Sequence, residues 1–179
     1  MPVLKAVNRP YQKKEDLKNL VNYAVKGKDG AYNVYGAQGV LIGDADSMYC
    51  QMEEVKKYFR KEGGRQAMHY ILSFSRDEMG YIGTQEALWI GYAFAEYCFQ
   101  GWQAVFGVHT DTGSLHIHFI VNTMSYESGR AYGIEPGGLE EMKQYADVLV
   151  WNYYIASLPE EERREAVLRG MEAVAEIMG

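Results

Sequence analysis

Three of the four histidines in this 179-residue chain fall within ten residues, at His109, His116 and His118. Neutral imidazoles are common ligands of divalent metal ions, and three of them with an open fourth position suit a metal that acts as a Lewis acid. A lone histidine is more often a satisfied structural residue, but that explanation weakens when three lie on one short segment. This segment is therefore the strongest candidate for chemistry in the chain.

The sequence around these histidines predicts a β-hairpin. Apolar runs at residues 103–109 and 115–123 flank the turn-forming residues 110–114. In an antiparallel hairpin, position 109 stands opposite position 116, and positions 116 and 118 share a face because side chains alternate along a strand. The three imidazoles are thus predicted on one face, and the other face carries an apolar set that can pack on helices: Phe106, Val108, Ile117, Phe119 and Val121.

The remaining elements mix strands and helices. Strands are predicted at residues 3–7 and 69–75, and helices at 13–26, 84–99, 138–156 and from Pro159 onward. Asp46 is the expected N-cap of a further helix, and residues 30–43 are expected to form a glycine-rich loop with one irregular strand. The pattern predicts an α/β fold with a largely antiparallel central sheet flanked by helices. One domain over residues 1–156 and an acidic helical tail over residues 157–179 are expected.

Composition narrows the class of protein. No apolar run approaches the roughly 18–20 residues that span a bilayer, and the N-terminus lacks the pattern of a secretory signal, so a cytoplasmic protein is expected. The two cysteines, Cys50 and Cys98, are too few for a disulfide scaffold and are predicted to be buried thiols. The net charge is −6, yet residues 1–65 hold twelve Lys/Arg against eight Asp/Glu. That basic half either faces a phosphate backbone or forms ordinary solvated helix surfaces.

Three motifs resemble those of one known family. The pattern His109-x-Asp111-x-x-x-x-His116-x-His118, followed by Phe-Ile-Val-Asn, resembles the third motif of the relaxase/mobilisation nucleases, the HUH endonucleases that start conjugative DNA transfer. Residues 16–24, which contain Tyr23, resemble the first motif, a tyrosine on an early helix. Residues 69–74, which contain Ser73, resemble the second motif, a strand ending in a serine that contacts DNA near the nick. Order and spacing agree over residues 1–156.

The resemblance implies an HUH-endonuclease-like sandwich fold and a defined reaction. A tyrosine attacks one phosphodiester of single-stranded DNA at an origin of transfer, which leaves a 5′-phosphotyrosyl link and a free 3′-hydroxyl. The family implies Mg²⁺ or Mn²⁺ as the divalent metal ion, whereas three imidazoles also suit Zn²⁺ or Ni²⁺ by ligand softness. The expected partners are the DNA strand, an accessory DNA-binding mobilisation protein and a coupling protein.

The chain contains fifteen tyrosines, so the nucleophile has to be selected by position. Tyr23 lies at the edge of the apolar stripe of the first predicted helix, where a phenol can reach a ligand, and it is the predicted nucleophile. Tyr11, Tyr32 and Tyr35 are the alternatives. By the resemblance, Ser73 belongs with the catalytic residues, and Asp111 either orients one of the histidines or helps to activate the tyrosine.

Further acidic and polar residues remain open. The family uses an acidic residue between its second and third motifs, for which Glu78, Glu86 and Glu96 are the candidates. His69 stands alone at the start of a strand and is predicted to be structural. Asn122 continues the histidine face and either contacts DNA, holds a ligand or serves as a capping amide. Lysines near the predicted nucleophile are the candidates for DNA-backbone contacts: Lys13, Lys14, Lys18, Lys26 and Lys28.

Three other functions share parts of this pattern. A rolling-circle replication initiator uses the same histidine motif but commonly has its tyrosine after the histidines, whereas Tyr23 precedes them here. A non-catalytic metal-binding or single-strand-binding accessory module of a mobile element would bind without cleaving. A plain metallohydrolase would form no covalent adduct with DNA. A relaxase is the predicted function.

Overall fold

The structure, a computed structural model, describes residues 1–27, 33–110 and 113–178. Within these ranges the strands are β1 (Val3–Ala6), β2 (Val34–Gln38), β3 (Ala67–Ser73), β4 (Trp102–His109) and β5 (His116–Ser125). The helices are α1 (Lys14–Lys26), α2 (Ala45–Tyr58), α3 (Thr84–Cys98), α4 (Gly138–Ser157) and α5 (Glu160–Met178), with a short 3₁₀ turn at Glu78–Gly80.

The five strands of the described chain form one sheet in the order β1-β3-β5-β4-β2. Every neighbouring pair is antiparallel. Helices cover both faces, so the predicted α/β fold with an antiparallel central sheet is confirmed. The central strand, β5, forms a hairpin with β4, in which His109 stands opposite His116 as the spacing predicted.

The two faces of the sheet pack against different helices. One face, termed the far face, carries the aromatic core formed with α3 and α4. The ring centroids of Phe94 in α3 and Phe119 in β5 lie 5.0 Å apart there. This face contains the predicted apolar set of the hairpin. The opposite face, termed the histidine face, carries Val105 and Ile120 beside the histidines and is covered by α1 and α2. The histidines therefore lie beneath helices and not on an open sheet surface.

Gly107 allows α1 to approach the histidine face closely. A Cβ atom at this position would lie 1.7 Å from the carbonyl oxygen of Ala24 and 2.6 Å from its carbonyl carbon. Backbone packs directly on backbone here, which only a residue without a side chain permits. The contact fixes the C-terminal half of α1 against β4, next to the hairpin turn.

Local signals explain how α1 and α2 begin. The Asp16 carboxylate accepts a hydrogen bond from Lys13 N at 2.9 Å, at the start of α1. The Asp44 side chain accepts from Ser47 N at 2.7 Å, so Asp44 caps α2. The prediction that Asp46 is this cap was wrong, because Asp46 lies within the first turn of the helix and pairs there with Lys18.

Several other boundaries differ from the prediction. Strand β3 covers residues 67–73 and not 69–75, because Ser75 begins a turn in which it bonds with Glu78. The thiols were also predicted wrongly, since Cys50 is exposed on the outer side of α2 and Cys98 is only half-buried. Burial raises the pKa of the Cys98 thiol to about 12. The division between a domain ending at residue 156 and a tail stays a prediction.

Within the described residues, none of the helices is both long and apolar enough to cross a bilayer.

Candidate metal and nucleophile site

The three histidines of the hairpin converge on the histidine face. Each offers one ring nitrogen to a set whose atoms all lie within 4.8 Å of one another, and all three residues are buried. The strand register explains this, because His109 and His116 are opposite each other and His118 follows on the same face. Three imidazole nitrogens at this spacing match the donor set of a site for a divalent ion, so the residues present fit a metal.

Backbone carbonyls hold the outward ring nitrogens of two of these histidines. His109 Nε2 lies 3.2 Å from the carbonyl oxygen of Ala24, and His116 Nδ1 lies 2.9 Å from that of Ser114. The amide nitrogen of Asn33 also lies 3.0 Å from His109 Nε2, so this ring nitrogen is engaged by both Asn33 and Ala24. A carbonyl oxygen only accepts hydrogen bonds, so the Ser114 contact requires the hydrogen on Nδ1 of His116. The ring nitrogens left to face a metal are then Nδ1 of His109 and Nε2 of His116. Such outer contacts are how proteins orient metal-binding histidines.

His69 belongs to the same cluster, although the sequence indicated a solitary structural residue. Its Nε2 lies 2.8 Å from Nδ1 of His118, and its Nδ1 lies 3.1 Å from the hydroxyl of Tyr11. Burial lowers the pKa of His69 to about 4, with Arg9 adding to the shift, so the ring is neutral at pH 7. A signal was present in the sequence, because positions 69 and 73 share one face of a strand and Ser73 was already predicted near the site.

Tyr23 lies directly over the histidines. Its ring centroid is 4.9 Å from that of His109 and 4.9 Å from that of His118. The residue is half-buried, next to Ala24, whose carbonyl contacts both His109 and the Gly107 backbone region. Helix α1 therefore brings its tyrosine to the candidate metal ligands and orients one of them at the same time.

The other predicted catalytic residues have different positions. Ser73 is half-buried and pairs with His116 across β3 and β5, so it reaches the same face at the edge of the cluster. Asp111 lies outside the described residues, as does Tyr32. Tyr35 is on β2, where its hydroxyl donates to the carbonyl of Gly43 at 3.2 Å, which gives this side chain a structural role.

The predicted DNA-contacting lysines are partly engaged within the protein. Lys14 pairs with Glu62, and Lys18 pairs with Asp46 at 3.0 Å. Lys13 is exposed at the start of α1, Lys26 lies in its last turn, and Lys28 is outside the described residues. A DNA backbone that binds Lys14 or Lys18 would have to compete with the carboxylate partner of that lysine.

Asn122 does not reach the surface. Its side chain is 0% exposed, and its amide donates to the carbonyl of Met52 and to the side-chain oxygen of Gln103, both at 2.9 Å. An amide enclosed between α2 and the sheet cannot contact DNA. The predicted alternative of a structural amide accounts for the position of Asn122, because its hydrogen bonds link α2 to the sheet.

The three candidate acidic residues lie away from the histidines. Glu86 and Glu96 are on α3, which packs on the far face of the sheet. Glu78 is buried in the 3₁₀ turn, where it accepts from Ser75 N at 2.6 Å and pairs with the N-terminal amine of Met1. None of the three touches the imidazoles through a contact in the described part of the chain, where the outer partners are backbone carbonyls, the Asn33 amide and His69.

Comparison with known proteins identifies relatives. The family model for relaxases, described as the MobA/VirD2-like nuclease domain, matches residues 21–155, which include the histidine cluster and the tyrosine of α1. Two curated proteins, each called Protein rlx and each from Staphylococcus aureus, are also similar. One is 22% identical over 144 residues, which is 80% of this chain and 40% of that protein. The other is 29% identical over 96 residues, which is 50% of this chain and 29% of that protein.

The chain thus spans less than half the length of the curated relatives it matches. A solved structure described as the molecular basis of vancomycin resistance transfer in Staphylococcus aureus has the same fold. It aligns with a TM-score of 0.54 at 12% identity and covers 86% of this chain and 92% of that chain. At this level of identity the agreement concerns the fold alone.

Proposed function

Because the chain belongs to the relaxase family, as a nuclease domain of the MobA/VirD2-like type, we propose that it nicks single-stranded DNA at an origin of transfer through Tyr23. The observation that carries this proposal is the position of the Tyr23 ring, 4.9 Å between centroids from two of the three clustered histidines. A nucleophile and an electrostatic stabiliser must act on one reacting atom, and the Tyr23 ring is in direct contact with two of the imidazoles that would hold the ion.

The proposed reaction is a transesterification. The Tyr23 hydroxyl oxygen attacks phosphorus and loses its proton, while the bond from phosphorus to the 3′ oxygen breaks and that oxygen gains a proton. The products are a 5′-phosphotyrosyl ester and a free 3′-hydroxyl, so atoms and charge balance without a cofactor that is consumed. The ester retains the energy of the phosphodiester bond, and the reverse step reseals the strand.

His109, His116 and His118 would hold the divalent ion. When bound, such an ion polarises a non-bridging phosphate oxygen and stabilises the charge that develops on phosphorus. The chain itself orients these imidazoles, since the outer ring nitrogens of His109 and His116 are held by contacts to the carbonyls of Ala24 and Ser114. A phenol has a pKa near 10 and is a weak nucleophile at pH 7, so its activation also requires a proton acceptor, for which Asp111 is the candidate.

The DNA strand is proposed to follow the edge of α1. Lys13 and Lys26 lie at opposite ends of this helix, on either side of Tyr23 in sequence, and supply positive charge for phosphate contacts. Ser73 is proposed to contact DNA near the nick. An accessory DNA-binding mobilisation protein and a coupling protein are the further partners proposed for this chain, as a member of the relaxase family.

The test uses single-stranded oligonucleotides tiled across the intergenic DNA that flanks the gene. Each is incubated with protein and Mn²⁺, and the mixture is analysed by intact-mass spectrometry for a covalent adduct. We expect an adduct at Tyr23 that disappears in Tyr23→Phe, although that variant still binds metal. His116→Ala is expected to lose both metal and adduct.

Tyr58→Phe is the matched control, because this tyrosine is exposed at the end of α2 and should form the adduct normally. A Tyr23→Phe protein that still forms the adduct would refute the choice of nucleophile. Metal binding without an adduct on any oligonucleotide would instead favour the accessory-module function.

A further inference from the structure

Two histidines of the cluster have backbone carbonyls at their outer ring nitrogens, but the third, His118, contacts another imidazole. His118 Nδ1 contacts His69 Nε2 at 2.8 Å, and His69 Nδ1 contacts the Tyr11 hydroxyl at 3.1 Å. We propose that Tyr11 and His69 are positioning residues that hold His118 in its metal-binding tautomer. This inference rests on the metal site of the proposed function and is independent of the nicking reaction.

The direction of the hydrogen bonds that link Tyr11, His69 and His118 decides whether His118 binds a metal. For Nε2 of His118 to be the ligand, its Nδ1 must carry the hydrogen and donate to Nε2 of His69. A neutral His69 then has its hydrogen on Nδ1 and donates to the Tyr11 oxygen. The Tyr11 hydroxyl hydrogen is left for another acceptor. In the reverse order His69 donates to His118, whose hydrogen must then sit on Nε2, and coordination is blocked.

The backbone around Tyr11 is held in a costly conformation. Tyr11 has φ +41°, a left-handed value that non-glycine residues rarely adopt. Gln66 N donates to the Tyr11 carbonyl at 2.7 Å, and the Arg65 guanidinium donates to the carbonyls of Arg9 at 2.6 Å and Pro10 at 3.4 Å. Backbone strain of this kind persists only where surrounding contacts impose it. Here those contacts keep the phenol directed at His69.

The location of His69 also limits its role to an indirect one. It stands opposite Ile120 on β5, whereas the residue opposite His118 is Ile71, so the two rings meet diagonally across β3 and β5. His69 is buried on the side of His118 that faces Tyr11. A purely structural histidine would fill this space equally well, so the test must separate the hydrogen bond from the packing.

The experiment compares metal affinity in five purified proteins, the wild type and four variants, by calorimetry with Co²⁺, and follows the visible absorption of the bound ion. His69→Leu keeps side-chain volume but cannot accept from His118, and we expect a roughly 10–100-fold loss of affinity. His69→Gln restores an acceptor for His118 and a donor for Tyr11, so it should recover most of the affinity. Tyr11→Phe retains the ring and removes only the hydroxyl, with a smaller loss expected.

A second readout is independent of metal. In ¹⁵N-labelled, metal-free protein, the imidazole nitrogen shifts report the tautomer of His118, which we expect to be the Nδ1–H form in the wild type and a mixture in His69→Leu. Tyr58→Phe is the control for both measurements. Wild-type Co²⁺ affinity in folded His69→Leu or, if that variant does not fold, in Tyr11→Phe together with an unchanged His118 tautomer would overturn the inference.

The same data separate this inference from the proposed function. A wild-type protein that binds no metal overturns both. A wild type that binds Co²⁺ but forms no DNA adduct overturns only the nicking reaction, and the affinity order of the variants still decides the role of Tyr11 and His69.

Discussion

The substitution Gly107→Ala should separate α1 from the sheet and disable the site without touching a histidine or the tyrosine. The added Cβ would lie 1.7 Å from the Ala24 carbonyl oxygen, and opening this distance to an ordinary contact of 3.4 Å requires a displacement of about 1.7 Å. The neighbouring atom is backbone, so no side-chain rotation relieves the clash. The whole C-terminal half of α1 must move.

The consequences follow from what this part of α1 carries. The hydrogen bond from His109 Nε2 to Ala24 O, now 3.2 Å, is lost at such a displacement, and the adjacent Tyr23 moves away from the imidazoles. Overpacking of this kind costs about 1–3 kcal/mol of unfolding free energy. In a domain of this size that corresponds to a Tm lower by roughly 2–12 °C. Misplacement of a reacting group by about 1 Å costs on the order of 100-fold in rate.

Three measurements check this prediction: Tm by calorimetry, Co²⁺ affinity, and the rate of adduct formation on the most reactive oligonucleotide. Gly63→Ala is the control, because a Cβ at that exposed glycine meets nothing within 4 Å. The reasoning is refuted if Gly107→Ala has both the Tm and the adduct rate of the wild type. A lower Tm with an unchanged rate would mean that α1 relaxes without moving Tyr23.

Two further predictions concern stability. Below pH 6.5 the unfolded chain protonates His69, whereas the folded chain does so only near pH 4, so the unfolding free energy of the metal-free protein should fall by about 2 kcal/mol between pH 7 and pH 5. His69→Gln should flatten that slope in denaturant titrations, and an unchanged slope would contradict the assignment. Lys56→Met removes an ammonium that contacts Gln66 O at 2.9 Å and leaves the buried Glu53 carboxylate without its closest partner. A loss of roughly 3 kcal/mol is expected by urea unfolding, against less than about 1 kcal/mol for exposed Lys57→Met; equal losses would argue against it.

The hairpin and its histidines were predictable because their determinants are local. Turn-forming residues at 110–114 and the alternation of side chains along two adjacent strands fix the register, and the register alone brings His109 opposite His116. Tyr23 was selected from fifteen tyrosines by its place on the edge of an apolar helical stripe, a property of one helix. The structure brings that tyrosine to the histidines, and its role as nucleophile stays a prediction.

The partners of these residues depended on contacts between distant segments. His69 reaches His118 only because β3 pairs with β5, and Tyr11 reaches His69 only because the segment after β1 is pinned to Arg65 and Gln66. Lys14 and Lys18 were expected to face DNA, but both pair with carboxylates on α2 or just after it. Lys18 pairs with Asp46 of α2, and Lys14 with Glu62 beyond the end of that helix. Asn122 follows the histidines on the same face, yet the docking of α2 encloses it.

The sequence by itself therefore determined the hairpin, its shared face of histidines and the helix that carries the tyrosine, while the resemblance to relaxases supplied the chemistry proposed for them. Only the tertiary structure decided how close that helix lies to the sheet, through Gly107, and which groups orient each imidazole. Side-chain periodicity and turn preference act over a few residues and are written in the local sequence. Register between non-adjacent strands and the docking of helices are set by packing of the whole core, because each depends on surfaces that come together only in the folded chain.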